Sequence, residues 1–170
     1  MDAVQRARGV RLAIFDVDGV MTDGTLFIGP QGEIAKPFNI LDGHGLKMLQ
    51  QAGIACAIIS GRSFEAVAYR ARELSIAHVA QGCADKVAEF ERLRARLALD
   101  AHACSFMGDD LPDLAVMQRC GLAVAVANAV DAVKRAAHLV TQASGGRGAV
   151  REFSDFVLRA RGQLADGCAV

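Results

Sequence analysis

Short runs of consecutive apolar residues recur along the chain, and polar or amphipathic stretches separate them. These runs do not alternate with polar residues, which is typical of strands that are buried on both faces of a sheet. The runs that predict strands are RLAIF (11–15), IACAIIS (54–60), IAHVA (76–80), ACSFM (103–107), LAVAV (122–126) and HLVT (138–141).

Amphipathic segments between these runs have apolar residues at helical spacing. One of them places Leu46 and Leu49 on one face and ends at Gly53, a common helix stop signal. Another opens with Ser63, which is a candidate N-cap. The segments that predict helices are 45–53, 63–74, 85–97, 111–121 and 149–162.

The alternation of strands and helices predicts an α/β fold. We expect a three-layer, doubly wound, Rossmann-like parallel sheet with helices on both faces. In such sheets ligands bind beyond the carboxyl ends of the strands. Polar residues that directly follow a predicted strand are therefore the first candidates for a functional site.

Residues 22–40 interrupt this alternation as an insertion after the first strand. Leu26 and Ile28 alternate with polar residues, the turn-rich GPQGE follows, and Ile34 and Phe38 come next. This pattern predicts a β-hairpin. A lone two-stranded hairpin is only marginally stable in water, so a neighbouring subunit is the simplest candidate to cover it.

The composition is typical of one globular domain. The chain has 170 residues, of which 52% are hydrophobic and 22% are charged. We expect a single domain over 1–170, with a flexible tail over about 162–170. Nineteen basic residues balance nineteen acidic ones, which argues against a nucleic-acid partner.

Nothing in the pattern indicates a membrane or a secreted protein. No apolar run approaches the roughly 20 residues that span a bilayer, and residues 1–12 lack the apolar core of a secretion signal. We therefore expect a cytoplasmic protein. The cysteines are scattered without a CxxC pair, which favours free thiols over zinc ligands or disulfides. They are Cys56, Cys83, Cys104, Cys120 and Cys168.

Two carboxylates follow the first predicted strand, in IFDVDG. Asp16 and Asp18 are two positions apart, so on an extended chain they face the same way. One carboxylate can attack phosphorus to form an aspartyl-phosphate, and the second can act as general acid and then as general base. An aspartate-rich surface loop is the plainer alternative.

Polar residues with affinity for phosphate follow the next two strands. Ser60 and Gly61 offer a hydroxyl and free N–H groups before a helix, and Arg62 adds a bidentate donor. Lys86 lies in the first turn of a later helix, where a bound phosphate would offset its unfavourable place in the helix dipole. An ordinary serine-capped turn and an exposed lysine are the alternatives.

A second acidic cluster follows the strand ACSFM, in GDDLPD. Asp109, Asp110 and Asp113 are hard oxygen donors of the kind that Mg²⁺ prefers. Helix capping would require only one such acid. The four clusters appear in the order acid pair, serine, lysine and acid pair, each after a strand, and this order favours a phosphoryl-transfer site.

DVDG, SGR, Lys86 and GDDLPD resemble, in order, the four motifs of the haloacid dehalogenase-like superfamily of phosphotransferases. The resemblance implies that Asp16 is the nucleophile and Asp18 the general acid and base. It further implies that Ser60 and Lys86 hold the phosphoryl group. The implied Mg²⁺ ligands are Asp16, the backbone carbonyl of Asp18, and Asp109, with Asp110 and Asp113 in support.

Four longer stretches, DVDGVMTDG, FNILDGHGLKML, IISGR and SGGRGAVRE, are similar to the capless family of 3-deoxy-D-manno-octulosonate 8-phosphate phosphatases. This resemblance implies a sugar-phosphate substrate and a homotetramer in which hairpins form a central barrel. It implies that Asp42 and His44 lie at the site mouth and that Arg147 reaches a neighbouring active site. With this resemblance, the glycine-rich segment 144–150 is expected to be a flexible flap; a flexible linker before the last helix is the plainer alternative.

Three alternatives stay open on the sequence. The first is a phosphatase for another sugar-acid phosphate, such as a sialic acid 9-phosphate. The second is a phospho-accepting receiver domain, although a receiver does not require an acid at Asp18. The third is a non-catalytic assembly domain, although all four motifs are intact.

Overall fold

The structure is a computed structural model and describes residues 1–164. The strands are Leu12–Phe15 (β1), Phe27–Gly29 (β2), Gly32–Ala35 (β3), Ala55–Ile59 (β4), His78–Ala80 (β5), Cys104–Gly108 (β6), Leu122–Ala125 (β7) and Leu139–Val140 (β8). The helices are Ala3–Arg8 (α1), Ile40–Gln51 (α2), Glu65–Glu73 (α3), Lys86–Arg96 (α4), Leu114–Met117 (α5), Asp131–Ala136 (α6) and Ala149–Ala160 (α7).

Six parallel strands form the central sheet of the described chain, in the order β5-β4-β1-β6-β7-β8. The chain runs outward from β1 through β4 to β5, then returns to β6 on the other side of β1. The loops that leave β1 and β6 therefore diverge and open a crevice at their carboxyl ends. This confirms the doubly wound parallel sheet.

Helices cover both faces of the sheet and complete three layers. On one face α7 packs against α1 and α2, and on the other α5 packs against α4 and α6. Phe15 of β1 meets Phe153 of α7 edge-on, with ring centroids 5.8 Å apart. Gly45 lets α2 approach α7 closely, because a Cβ there would lie 2.8 Å from Ser154 Oγ.

The predicted strands are all confirmed, but two helix starts are corrected. Helix α2 begins at Ile40, five residues before the predicted segment, because the Asn39 side chain accepts the N–H groups of Leu41 and Asp42. The N-cap prediction for Ser63 is wrong. Phe64 occupies the cap position of α3, and its N–H donates to Gln81 Oε1 at 2.9 Å. Helices α1 and α6 were not predicted.

The hairpin insertion is confirmed as the antiparallel pair β2 and β3. Its apolar side chains are exposed in the single chain, with Ile28 at 64% and Ile34 at 66%. Within residues 1–164 the hairpin pairs only with itself, so nothing in the described chain covers this apolar surface.

The structure also bears on the expectations about membrane spans and cysteines. No helix within the described residues is long and apolar enough to cross a membrane. The four cysteines in that part of the chain are free thiols, as predicted. Cys168 and most of the tail that we expected to be flexible lie outside the described residues.

Candidate active site

Side chains from the carboxyl ends of β1, β4 and β6 and from the start of α4 converge on one pocket of about 320 Å³. Most of the residues that the sequence singled out line this pocket, and Asp42 and Arg147 do not. The lining residues are Asp16, Asp18, Gly24, Ser60, Gly61, Arg62, Lys86, Asp109, Asp110, Pro112 and Asp113.

Asp16 lies at the bottom of the pocket, one residue past β1. Its N–H donates to Met107 O at 3.0 Å and so extends the ladder between β1 and β6. The residue is 7% exposed, and its Oδ1 lies 3.0 Å from Lys86 Nζ. Burial, and then the nearby Asp113 carboxylate, raise the pKa of Asp16 to about 6 against the opposing effect of Lys86. Burial thus makes the negative charge of this carboxylate costly, and the Lys86 ammonium beside it stabilises the ionised form.

Lys86 is buried, which contradicts the alternative of an exposed helix lysine. The side chain of Asp85 accepts the N–H groups of Val87 and Ala88, so α4 is capped independently of the lysine. Lys86 Nζ lies 2.7 Å from Asp113 Oδ1 and also contacts Asp16. Burial alone would lower the pKa of Lys86, but these two carboxylates outweigh it and raise that pKa. The ammonium group is thus a permanent cation at the bottom of the pocket.

Asp113 supports the site through its own hydrogen bonds. Its Oδ1 accepts from Lys86, while Oδ2 accepts the N–H groups of Asp109 at 3.0 Å and Asp110 at 3.3 Å. Gly108 makes room for this carboxyl group, because a Cβ there would lie 2.6 Å from it. Asp110 caps the following turn by accepting the N–H of Leu111.

Asp109 offers an oxygen to a cation. Its Oδ1 is buried and has no hydrogen-bond partner among residues 1–164. Burial, together with the Asp16, Asp113 and Asp110 carboxylates, raises the pKa of Asp109 to about 7. Asp16, Asp109 and Asp113 each present an oxygen within 4.8 Å of the others. Three hard donors and an unsatisfied buried oxygen fit a divalent cation such as Mg²⁺.

The turn after β1 passes very close to the Asp109 carboxylate. Gly19 has a φ of +88°, and a Cβ at this position would lie 2.1 Å from Asp109 Oδ2. A side chain there would displace Asp109, so glycine is required for both its backbone conformation and its size.

The Asp18 side chain is not part of the cluster of Asp16, Asp109 and Asp113 carboxylates and instead contacts the hairpin. It forms an ion pair with Lys36, and its Oδ2 lies 3.7 Å from Arg62 Nε. Sequence reasoning missed Lys36 and its neighbour Glu33. Nothing in the local pattern distinguishes them from ordinary charged residues of a hairpin, because their partners come from distant segments.

The glycine-rich segment, which we expected to be a flexible flap, is packed against the active-site turn in this structure. A Cβ on Gly145 would lie 1.8 Å from Gly19 O, and the N–H of Gly146 donates to Val20 O at 3.0 Å. Asn128 joins the two segments, since its Nδ2 donates to Gly19 O at 3.0 Å and its Oδ1 accepts the N–H of Gly145 at 2.7 Å. The segment therefore supports the turn that contains Asp18.

Arg147 lies outside the pocket. Its Nη2 contacts Asp23 Oδ2 at 3.1 Å, on an exposed part of the surface. Hydrogen bonds from Thr25 and then from Arg147 lower the pKa of Asp23. The implied role of Arg147 in a neighbouring subunit stays a prediction.

Asp42, which we expected to bind substrate, does not line the pocket of the described chain. Asp42 is 3% exposed, and it accepts the N–H groups of Arg151 at 2.9 Å and Gly148 at 3.3 Å. It therefore satisfies the free N–H groups at the start of α7, and it does not face the pocket. His44 is exposed and lies on α2. The segment that we expected to be a loop at the site mouth is therefore the start of this helix.

We expect Asp42→Ala to lower stability and leave substrate binding unchanged. Unpaired N–H groups at a buried helix start cost about 1–3 kcal/mol, so the free energy of unfolding in urea should fall by that amount. KM should stay within about twofold of the wild-type value, because no pocket contact is lost. Asp42→Asn, which keeps one acceptor oxygen, is the matched control and should recover part of the stability. A large rise in KM with normal stability would contradict the structural role.

The crevice fold and the arrangement of carboxylates around a buried lysine define a phosphoryl-transfer hydrolase, and the family model of haloacid dehalogenase-like hydrolases matches residues 76–153. The chain is 45% identical to the 3-deoxy-D-manno-octulosonate 8-phosphate phosphatase of Yersinia pestis, over 96% of this chain and 87% of that protein. The corresponding protein of Escherichia coli K12 is 42% identical over the same shares. The chain belongs to the haloacid dehalogenase-like hydrolases and, within them, to the family of 3-deoxy-D-manno-octulosonate 8-phosphate phosphatases.

Solved structures agree with this placement. The crystal structure of the Yersinia pestis phosphatase matches with a TM-score of 0.94 at 45% identity, covering 96% of this chain and 88% of that one. The Moraxella catarrhalis phosphatase was solved in complex with a magnesium ion, a phosphate ion and 3-deoxy-D-manno-octulosonate (KDO). It matches with a TM-score of 0.92 at 38% identity, covering 94% of this chain and 92% of that one.

Proposed function

We propose that this enzyme hydrolyses 3-deoxy-D-manno-octulosonate 8-phosphate to the free sugar acid and phosphate, with Mg²⁺ as cofactor, and so supplies a precursor of the lipopolysaccharide core. The observation that carries this proposal is the convergence of Asp16, Lys86 and Asp109 in one pocket. The substrate follows from the family, whose relatives are named for this reaction.

The proposed first step transfers the phosphoryl group to Asp16. A carboxylate oxygen of Asp16 forms a bond to phosphorus as the bond to the sugar oxygen breaks, and Asp18 gives that oxygen its proton. In the second step Asp18 removes a proton from water, which attacks phosphorus and releases phosphate and Asp16. Lys86, Ser60 and the N–H of Gly61 stabilise the charge on the phosphoryl oxygens in both steps.

The residues present fit the proposed metal. Asp16, the backbone carbonyl of Asp18, and Asp109 would hold Mg²⁺, with Asp110 and Asp113 in support. When bound, the ion offsets the repulsion between the Asp16 carboxylate and the phosphate dianion. Arg62, whose side chain is half exposed at the pocket mouth, is the proposed partner of a sugar carboxylate.

A phosphate-release screen tests the function. The purified chain should release phosphate fastest from 3-deoxy-D-manno-octulosonate 8-phosphate, more slowly from a sialic acid 9-phosphate and glucose 6-phosphate, and from none of them in excess EDTA. Faster release from the nine-carbon substrate would replace the proposed substrate. A stable phosphoprotein without phosphate release would favour a receiver.

We also propose that the protein is a cytoplasmic homotetramer assembled through the hairpin. The free thiols are typical of a reducing compartment. The exposed apolar side chains of β2 and β3 support the assembly, since a monomer rarely exposes such a patch.

Replacing both Ile28 and Ile34 by Glu should lower the mass found by light scattering. Val130→Glu, at an exposed position outside the hairpin, should not lower it. An unchanged mass in the double variant would overturn assembly through the hairpin.

A further inference from the structure

The hairpin places two buried charges at the mouth of the pocket. The Lys36 side chain is only 1% exposed, and its Nζ forms ion pairs with Asp18 and, at 3.0 Å, with Glu33 Oε1. The Glu33 side chain is 7% exposed, and its Oε2 lies 2.8 Å from Arg62 Nη2. The ring of Phe64 lies against the lysine, with its centroid 5.9 Å from Nζ.

These four side chains form a closed ring of alternating charge. Asp18 contacts Lys36, Lys36 contacts Glu33, Glu33 contacts Arg62, and Arg62 returns to Asp18 at 3.7 Å. A buried ammonium is costly to desolvate unless it is paired, and here both of its carboxylate partners are supplied. The hairpin is otherwise exposed, so this buried contact joins it to the active site.

The ring determines where the Asp18 carboxylate lies. Asp16, Asp109 and Asp113 form the group that can hold a cation, and the Asp18 side chain is not part of it. Two cations on the hairpin side of the pocket hold it there instead. We propose that Lys36 is a positioning residue for Asp18, and that Glu33 orients both Lys36 and Arg62. This inference rests on the proposed acid and base role of Asp18.

Positioning of Asp18 matters most for substrates with poor leaving groups. A sugar alkoxide has to be protonated as it departs, whereas p-nitrophenolate leaves without help. The ratio kcat/KM reports the steps up to release of the alcohol, so it includes this first proton transfer and excludes the later hydrolysis of the phosphoenzyme. A shift of the acid by about 1 Å can cost about 10²-fold in rate.

The test compares Lys36→Met with wild type on pairs of substrates in saturating Mg²⁺. We expect kcat/KM to fall about 10²-fold for the sugar phosphate and about threefold or less for p-nitrophenyl phosphate. Phenyl phosphate should be affected more than p-nitrophenyl phosphate, which gives a comparison that does not depend on the natural substrate. Lys36→Arg keeps the cation and should recover most of the loss. Lys47→Met, at an exposed position on α2, is the matched control and should change nothing.

The outcomes separate this inference from a structural effect and from the proposed function. An equal loss on all substrates, or no loss, would overturn the positioning role. If Lys36→Met does not fold, Glu33→Gln should show the same leaving-group dependence at a smaller size, and its absence there would also overturn the role. If wild type cleaves the aryl phosphates but not the sugar phosphate, the proposed substrate fails, and the aryl pair alone decides the role of Lys36.

Discussion

Asp16→Asn should abolish turnover while the protein stays folded. An amide cannot form the acyl-phosphate bond, so we expect kcat to fall by about 10⁴-fold or more, as when a catalytic nucleophile is removed. Burial and the Asp113 carboxylate raise the pKa of Asp16 to about 6, so its negative charge is unfavourable in the folded state. Removing that charge should leave the free energy of unfolding unchanged or higher at neutral pH.

The measurement combines phosphate release with urea unfolding and with trapping of the intermediate. Wild type quenched during turnover of ³²P-labelled substrate should contain a labelled phosphoprotein, and the variant should contain none. Asp131→Asn, at an exposed position in the first turn of α6, should behave as wild type. Full activity of a pure Asp16→Asn preparation would remove Asp16 as the nucleophile.

The second large effect is expected at Asp109. Asp109→Asn removes a half-buried carboxylate whose buried Oδ1 has no hydrogen-bond partner within the described chain. We expect kcat/KM at millimolar Mg²⁺ to fall about 10²-fold or more, since an electrostatic contact of the transition state is lost. Mg²⁺ should raise the melting temperature of wild type and have little effect on that of the variant, because a ligand that binds only the native state stabilises it.

Stability without metal should depend on pH through the same residue. Burial, then Asp16 and its neighbours, raise the pKa of Asp109 from its ordinary 3.8 to about 7, so the folded state binds the proton more tightly than the unfolded state. Between about pH 4 and pH 7 this residue therefore contributes less stability as the pH rises. Above pH 7 its buried charge is fully unfavourable.

In EDTA, Asp109→Asn should accordingly be more stable than wild type at pH 8, with a much smaller difference near pH 4. Urea unfolding of both proteins at several pH values gives this difference, and titrating groups far from the pocket cancel in the comparison. A variant that is less stable than wild type at pH 8 would show that favourable contacts of the Asp109 carboxylate outweigh the cost of its charge.

The local sequence was sufficient to predict the fold and the pocket residues that follow the strands. A parallel strand buried on both faces requires an unbroken apolar run, so β1, β4, β6 and β7 are visible without any tertiary information. Asp16, Ser60 and Asp109 each come directly after such a run. The position of a residue at a strand end was therefore enough to predict that it faces the crevice.

Longer-range contacts could not be predicted from the sequence. Asp42 is a carboxylate that could bind a ligand, yet it accepts hydrogen bonds from the start of a helix more than a hundred positions away. Lys36 looks like a surface lysine, yet its side chain is buried and paired with Asp18 and Glu33. The glycine-rich segment resembles a flexible linker, yet Gly145 packs on the carbonyl of Gly19.

The sequence by itself determined the parallel sheet, the hairpin and the side chains at the strand ends, because each of these depends on residues within a few positions of one another. Only the tertiary structure decided which charges face each other across the pocket. Pairing energies and desolvation depend on distances between segments far apart in the chain, and no local pattern encodes those distances.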